Sequence, residues 1–240
     1  MEILKFNVNE LKDAIDDGKL ISDSGFSGSI FLHGEKLLKL DQNLYHYLRI
    51  NSKTFAKKIF ERTYRYNDKP FVNKELIEYL LSKQANIHLT DFDLGIVYVN
   101  ERICGSILTP HLDYQDLTTY SAKDNVTLLK ILKNLLLALR ELDLNQISHL
   151  DLAKREKNKE PTLNVLYKDT DIKLCDLSDD RFITYGKKFN PEEMYTEYKY
   201  VILYLIKKLG ISISDLLTLD VANYEQANNM LLEVEKKLSK

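Results

Sequence analysis

The stretch HLDLAKREKNKEPTLNVLYKDTDIKLCDLSD, residues 149–179, carries the most information in this chain of 240 residues. It places four side chains capable of chemistry, His149, Asp151, Asn164 and Asp176, among short apolar runs. A carboxylate such as Asp176 inside an apolar strand is costly to bury unless a partner such as a metal ion compensates its charge. A helix end followed by a solvated hairpin would give a similar pattern, but the order of these residues favours a functional site.

Regular elements are predicted on both sides of this stretch. NVLYKDTDIKLCDL predicts a hairpin, and the earlier residues 125–144 carry apolar side chains at helical spacing. After the hairpin, Asn190, Pro191 and Glu193 predict an N-cap, a first-turn proline and a capping-box acid for a helix that ends at Gly210. A last helix is predicted from about Tyr224 to Lys237, so the second half is expected to be mainly helical.

The first half shows a different pattern, with strands around one clear helix. Residues 1–19 have helical spacing, residues 30–40 predict two strands joined by the turn HGEK, and residues 42–69 fit either helix or irregular structure. NKELIEYLLSK, residues 73–83, predicts a helix with Asn73 as its N-cap. LGIVYV and ICGSIL, within residues 94–108, predict two more strands, and Pro110 ends the second.

Composition and charge exclude several classes of partner. Lys and Arg total 34 against 36 for Asp and Glu, so a net charge of -2 predicts neither nucleic-acid nor membrane-surface binding. Cys104 and Cys175 both lie in apolar segments, which is typical of free thiols in a reducing compartment. The N-terminus has no continuous apolar run, and charges interrupt the most apolar helix, so neither a signal peptide nor a membrane span is expected.

Further candidate residues in the first half are weak when they are taken singly. Gly25 and Gly28 in SGFSGSI are typical of an ordinary turn, and Lys39 in LLKLD is compatible with a surface lysine on an edge strand. Glu75 is one acid at a helix start, where the helix dipole already favours it. The histidines and cysteines lack the spacing of a zinc site.

Taken in order, these residues resemble the N-terminal lobe of the eukaryotic-type protein kinases. A glycine loop between strands, a lysine in the next strand and a glutamate in the following helix match Gly25, Gly28, Lys39 and Glu75. The resemblance implies that the glycine loop covers ATP phosphates and that Lys39, paired with Glu75, contacts them. Lys36 is the alternative lysine if the strand register differs.

The stronger resemblance is to the catalytic loop and the magnesium-binding strand pair of the same family. His149, Asp151, Asn164 and Asp176 match the histidine and aspartate of H-x-D, the loop asparagine and the aspartate of D-F-G. The resemblance implies that Asp151 is catalytic together with Lys39, and that Asn164 and Asp176 hold Mg²⁺. ATP and Mg²⁺ are therefore the expected cofactors.

The resemblance also implies the architecture. It predicts an α+β, two-lobed protein-kinase-like fold in a single domain that spans residues 1–240. A small antiparallel sheet lobe is expected over about 1–109, a hinge over about 108–113 and a reduced helical lobe over about 114–240, with ATP in the cleft between the lobes.

Several positions depart from the family pattern. Leu150 replaces the arginine of H-R-D, Ala153 replaces the lysine two residues after the aspartate, and EKNKEPTL is inserted before Asn164. Leu177 and Ser178 follow Asp176 in place of Phe and Gly. These departures predict a minimal kinase whose activity does not depend on activation-loop phosphorylation.

The predicted function is an ATP- and Mg²⁺-dependent protein kinase, acting on Ser or Thr, of the minimal kind found among bacterial effectors and viral kinases. Its expected partners are a protein substrate and an activating host protein, and its expected location is the cytoplasm or a host cytosol into which it is delivered. Two alternatives stay open: a small-molecule phosphotransferase related to aminoglycoside and choline kinases, and a non-catalytic kinase-like binding module.

Overall fold

The computed structural model describes residues 2–25, 28–65, 72–87, 95–108, 110, 113–121, 124–154, 161–175, 177 and 183–239. They form an α+β structure that divides into two compact units. The first unit is built mainly from Met1–Ser82 and Phe92–Pro110. The second is built mainly from Lys83–Asp91, His111–Leu177 and Arg181–Lys240.

A mixed six-stranded sheet forms the centre of the first unit. Its strands are β1 (Glu2–Phe6), β2 (Lys19–Gly25), β3 (Gly28–His33), β4 (Lys36–Leu40), β5 (Gly95–Val99) and β6 (Arg102–Leu108). They lie in the order β1-β5-β6-β4-β3-β2. β1 runs parallel to β5, whereas the other neighbours are antiparallel. The predicted antiparallel sheet is therefore wrong at this edge, where the N-terminal segment adds a parallel strand.

Three helices cover one face of this sheet. They are α1 (Val8–Asp17), α2 (Gln42–Ile50) and α3 (Lys53–Arg65). Their apolar residues pack with alternate residues of β3 to β6 into one core, which includes Leu11, Tyr45, Phe31 and Leu38. The prediction of a helix over residues 1–19 is therefore wrong for its first part, because Glu2–Phe6 is a strand and the helix begins after the capping residue Asn7.

A fourth helix, α4 (Lys74–Lys83), belongs to the opposite face of the sheet. Val72 and Ile77 pack there against Ile96 of β5. Asn73 caps this helix, because its Oδ1 accepts a hydrogen bond from the Leu76 N–H at 3.1 Å. The helix and its cap are thus confirmed, as are the strands β5 and β6.

The second unit has a core of three long helices. They are α5 (Asn125–Leu144), α6 (Pro191–Lys208) and α8 (Tyr224–Leu238), with the short α7 (Ser214–Leu217) between the last two. The predicted helices are confirmed, but the Asn190 side chain makes no capping hydrogen bond to α6. In the part of the chain that the structure describes, no helix has the length and apolar character needed to cross a membrane.

Short strand pairs accompany these helices. The strands are β7 (Gln115–Asp116), β8 (Ile147–His149), β9 (Ala153–Lys154), β10 (Thr162–Leu163), β11 (Val165–Lys168), β12 (Asp171–Leu174) and β13 (Ile183–Tyr185). β11 and β12 form the predicted hairpin, and β7 pairs with β11. β8 pairs with β13 and β9 with β10. The β8–β13 and β9–β10 pairs were not predicted, because strands of two or three residues leave no measurable periodicity.

Candidate functional site

The residues matched to a catalytic loop begin at the end of β8. His149, the last residue of that strand, is fully buried, and its Nδ1 accepts a hydrogen bond from the Asp151 N–H at 3.2 Å. The other ring nitrogen, Nε2, lies 2.7 Å from the Cys175 carbonyl oxygen and donates to it when Nδ1 is the acceptor. His149 thus connects the start of the loop to the end of β12.

Asn164 contacts Asp151 through its side-chain amide. Its Nδ2 donates to the Asp151 carbonyl oxygen at 2.6 Å and lies 3.1 Å from the Asp151 carboxylate oxygen Oδ2. The Asn164 N–H also donates to the Leu152 carbonyl at 3.0 Å. The structure therefore brings together the two residues that the sequence separates by an insertion.

The strand pair β9–β10 explains how the insertion is accommodated. Ala153 pairs with Leu163 and Lys154 with Thr162, so the two ends of the inserted segment are held side by side. Residues 155–160 lie outside the described part of the chain. An antiparallel pair fixes the separation of the two strands whatever the length of the connecting loop. Asn164 consequently lies beside Asp151 despite the inserted residues.

The end of β12 meets the same cluster. The Cys175 N–H donates to the Asn164 carbonyl at 2.9 Å, and the next described residue, Leu177, is buried. Asp176, the predicted metal ligand between them, lies outside the described residues. The main chain of Cys175, its neighbour in sequence, thus hydrogen-bonds to the main chain of Asn164 and to the side chain of His149.

The chemistry available at this cluster is that of oxygen donors. Asp151 and Asn164 are both half-buried, and the Asn164 amide oxygen accepts no hydrogen bond from the described residues. Carboxylate and amide oxygens are the ligands that Mg²⁺ prefers. Within the described residues, no group of three or more His, Cys, Asp or Glu side chains is arranged to hold a metal. The assignment of Asn164 and Asp176 as metal ligands stays a prediction.

Lys39 lies at the centre of the sheet in the first unit. Its side chain is only 2% exposed. It is paired with Ile30 on one side and Ser106 on the other, and Ser106 is paired in turn with Ile96. Directly paired residues project to the same face of a sheet, so Lys39 shares the face on which Ile96 meets α4. A buried ammonium group at this place is unlike the surface lysine of an edge strand.

The glycine pair lies at the turn between β2 and β3. Gly25 is paired with Gly28, and Gly28 has a φ of 153°, a conformation that favours glycine. Phe26 and Ser27, which connect them, lie outside the described residues. The predicted order of glycine loop, strand, turn and lysine-bearing strand is therefore present in the structure.

The expected ion pair between Lys39 and Glu75 is not formed among the described residues. Glu75 is exposed in the first turn of α4, whereas Lys39 is buried. The alternative lysine, Lys36, forms an ion pair with Glu2 at the start of β1. The prediction for Glu75 was based on helix spacing alone. In the structure, α4 is rotated so that Leu76, Ile77 and Leu80 are buried and Glu75 is exposed.

The chain after Asp176 returns to the strand that precedes the loop. β13 pairs antiparallel with β8, with Ile183 opposite His149 and Tyr185 opposite Ile147. Residues 178–182 lie outside the described part, as do Thr109, His111 and Leu112 of the predicted hinge. Backbone pairing therefore anchors the far end of the short segment in which an activation loop was expected.

Sequence reasoning missed one residue at this site. Glu197 of α6 accepts a hydrogen bond from the Ala153 N–H, with its Oε2 at 3.0 Å from that nitrogen. Its signal was present in the sequence as a carboxylate within the apolar stripe of Met194, Tyr198 and Val201. An acid on the buried face of a helix requires a partner elsewhere in the fold.

Comparison with known proteins adds no family assignment. No protein-family model matches the chain, and no curated protein sequence is significantly similar to it. Any assignment of function therefore depends on the residues of the site and their geometry.

Proposed function

We propose that this chain is an ATP- and Mg²⁺-dependent protein kinase that phosphorylates Ser or Thr hydroxyls. The observation that carries the proposal is the contact of Asn164 with both the main chain and the carboxylate of Asp151. These residues are 13 apart in sequence. Their contact supports the match of these two residues to the aspartate and asparagine of the kinase family. Without it, the match would depend on the order of residues in the sequence alone.

The residues fit the proposed cofactors in charge and chemistry. Asp151, Asn164 and, by sequence, Asp176 supply the hard oxygen donors that Mg²⁺ takes. Lys39 supplies a cation for phosphate oxygens from a strand that follows a glycine turn. Bound Mg²⁺ would neutralise the charge that develops on the phosphate oxygens.

Asp151 has the chemical role of proton acceptor in this proposal. A substrate hydroxyl forms a new O–P bond to the γ-phosphorus of ATP, the bond to the β-phosphate oxygen breaks, and the hydroxyl proton passes to Asp151. The hydrogen bonds from the Asp151 N–H to His149 and from Asn164 to Asp151 orient the acceptor. Such positioning accounts for most of the catalysis in phosphoryl transfer, since the protein does little covalent chemistry.

The control of this kinase is proposed to be independent of activation-loop phosphorylation. Leu150 offers no hydrogen-bond donor to a phosphate group. The strand pair β8–β13 holds residues 183–185 in place without a phosphorylated residue. The proposal includes a protein substrate and an activating host protein, with the cytoplasm or a host cytosol as its location.

Nucleotide titration of two matched variants tests the metal and nucleotide assignments. We expect the wild-type chain to bind ATP more tightly with Mg²⁺ than with a chelator, and Asp176→Asn to lose that difference. Asp169→Asn, in the exposed turn of the β11–β12 hairpin, is the matched control. Equal Mg²⁺ dependence in Asp176→Asn would overturn the metal assignment, and a wild-type chain that binds no ATP would overturn the function.

Turnover separates the proposed kinase from its alternatives. Labelled ATP and Mg²⁺ are supplied alone, with a host-cell protein extract, and with aminoglycosides or choline. Label on protein Ser or Thr supports the proposal, whereas label on a small molecule identifies the phosphotransferase alternative. ATP binding without any transfer identifies the non-catalytic alternative.

A further inference from the structure

Ser106 places an unfavourable polar group at the centre of the six-stranded sheet. Its side chain is fully buried on β6, and its hydroxyl has no hydrogen-bond partner among the residues that the structure describes. Most buried polar side chains in proteins have a partner, and a buried hydroxyl without one destabilises the fold. The presence of this hydroxyl is therefore not explained by stability.

The neighbour of Ser106 on the adjacent strand is Lys39 of β4, with which it is directly paired. Directly paired residues of antiparallel strands project to the same face of the sheet, and their Cβ atoms lie about 4.5 to 5.5 Å apart. The flexible four-carbon stem of a lysine allows its ammonium group to bend toward a neighbour at this separation. The hydroxyl of Ser106 therefore lies within reach of the Lys39 ammonium.

Lys39 requires oxygen acceptors, because its side chain is only 2% exposed and a protonated lysine has three N–H donors. The acid that the family resemblance supplies, Glu75, is exposed and forms no ion pair with Lys39 in the described structure. Phosphate oxygens of a bound nucleotide would accept from some of these donors. A hydroxyl oxygen on the same face of the sheet is suited to accept from another.

We infer that Ser106 is a positioning residue for Lys39, and that its Oγ accepts a hydrogen bond from the Lys39 ammonium when nucleotide is bound. This inference rests on the proposed kinase function. The phosphate oxygens hold the ammonium from one side, and the Ser106 hydroxyl holds it from the sheet, in the place that the family resemblance gives to a helix glutamate. The hydroxyl thus lowers the stability of the free protein and strengthens nucleotide binding, which is the usual compromise at a functional site.

Two substitutions of Ser106 should change stability and nucleotide binding in opposite directions. Ser106→Ala removes the buried hydroxyl, so the melting temperature should rise while the affinity for ATP with Mg²⁺ falls about tenfold. Ser106→Thr keeps the hydroxyl but adds a methyl group to a packed site, so the melting temperature should fall while the affinity for ATP stays within about threefold of wild type. A residue with a merely structural role would weaken binding only where it also lowers stability.

A double-mutant cycle shows whether Ser106 acts through Lys39. In a Lys39→Met background, Ser106→Ala should cause no further loss of ATP affinity, because the ammonium donor is already absent. Tyr120→Phe is the matched control, since it also removes a buried hydroxyl that has no partner among the described residues, but in the second unit. It should raise the melting temperature and leave ATP affinity unchanged. Calorimetric titration with ATP and Mg²⁺, beside melting curves, measures every variant.

The outcomes are distinct for this inference and for the function on which it rests. If the wild-type chain binds ATP and Ser106→Ala binds it equally well, the positioning role is overturned while the kinase function stands. A tenfold loss that Ser106→Ala also causes in the Lys39→Met background, or that Ser106→Thr shares, overturns the role as well. A wild-type chain that binds no ATP overturns the function and the inference with it, although a higher melting temperature of Ser106→Ala would still show that the hydroxyl destabilises the fold.

Discussion

The loop around Asp151 in the second unit and the strand around Lys39 in the first unit differ in how their polar groups are satisfied. In the loop, His149, Asp151 and Asn164 are joined by hydrogen bonds of 2.6 to 3.2 Å. In the sheet, Ser106 lies fully buried beside Lys39, and its hydroxyl has no hydrogen-bond partner among the described residues. The acid expected to pair with Lys39 is exposed instead.

This difference reflects how the two groups of residues are placed. Most contacts between the loop residues involve a main-chain group, and the strand pair β9–β10 holds Asp151 and Asn164 together although they are 13 residues apart. Lys39 and Glu75 lie on a strand and a helix, and their approach depends on the rotation of α4. The contacts implied by the family resemblance are therefore easier to retain within the loop than between a strand and a helix, as for Lys39 and Glu75.

The largest effect is expected from removal of the proton acceptor. Asp151→Asn should lower kcat by about a hundredfold or more, because a neutral amide cannot take the hydroxyl proton. The amide can still accept the contact from Asn164, so the melting temperature should change little. Steady-state kinetics beside a melting curve measure both. A variant with wild-type kcat would remove Asp151 from the mechanism.

A second test compares Lys39 with Glu75. Lys39→Met should weaken ATP binding at least about tenfold, whereas Glu75→Gln should change it by less than about twofold, because Glu75 is exposed and makes no ion pair with Lys39 in the described structure. Calorimetric titration with ATP and Mg²⁺ measures both affinities. Equal losses in the two variants would show that the residues pair when nucleotide is bound.

The thiol of Cys104 gives the sheet unit a pH dependence. Burial raises the pKa of Cys104 to about 12, whereas the pKa of a thiol in an unfolded chain is about 8.5. Because the folded thiol holds its proton more tightly, its contribution to stability is full below pH 8.5 and is lost as the pH rises toward 12. Chemical unfolding of Cys104→Ala should show a smaller alkaline loss than wild type. Identical pH profiles would contradict this origin.

The smallest effects concern two buried serines. Ser106→Ala should raise the free energy of unfolding by about 1 kcal/mol, because it removes a buried hydroxyl that has no hydrogen-bond partner among the residues that the structure describes. Ser148→Ala should lower it by about 1 kcal/mol, because the Ser148 Oγ accepts a hydrogen bond from the Asn190 N–H at 3.2 Å. Denaturant titrations of both variants measure the difference. Changes of the same sign would show that the two units do not differ in this respect.

Much of the fold could be predicted from sequence where an element was long or had a strong local signal. Helices α5, α6 and α8, the β11–β12 hairpin and the Asn73 cap of α4 are confirmed for this reason. The strand β1 was missed because the helical spacing of α1 extends back across it, and because its partner strand lies far along the chain. Pairing between distant segments leaves little trace in a local pattern.

The candidate site could be predicted in part. Asp151 and Asn164 are in contact, because β9 follows Asp151, β10 precedes Asn164 and these two strands pair with each other. Their roles as catalytic residue and metal ligand stay predictions. Glu197 could not be placed, because a carboxylate on an apolar helix face indicates a buried partner but does not identify it. The position of Glu75 depended on the rotation of α4, which helical periodicity determined only for its apolar stripe.

The parallel pairing of β1 with β5 has a consequence for the order of folding. Its register joins Glu2 to Gly95, and a Cβ atom at Gly95 would lie only 2.2 Å from the Glu2 carbonyl oxygen. Nearly all of the first unit separates these two residues, so β1 has no strand to pair with until β5 has left the ribosome. Closing so long a loop is entropically unfavourable until the other strands have paired. Although β1 is synthesised before the rest of this unit, it is therefore expected to be among the last of its strands to take its native place.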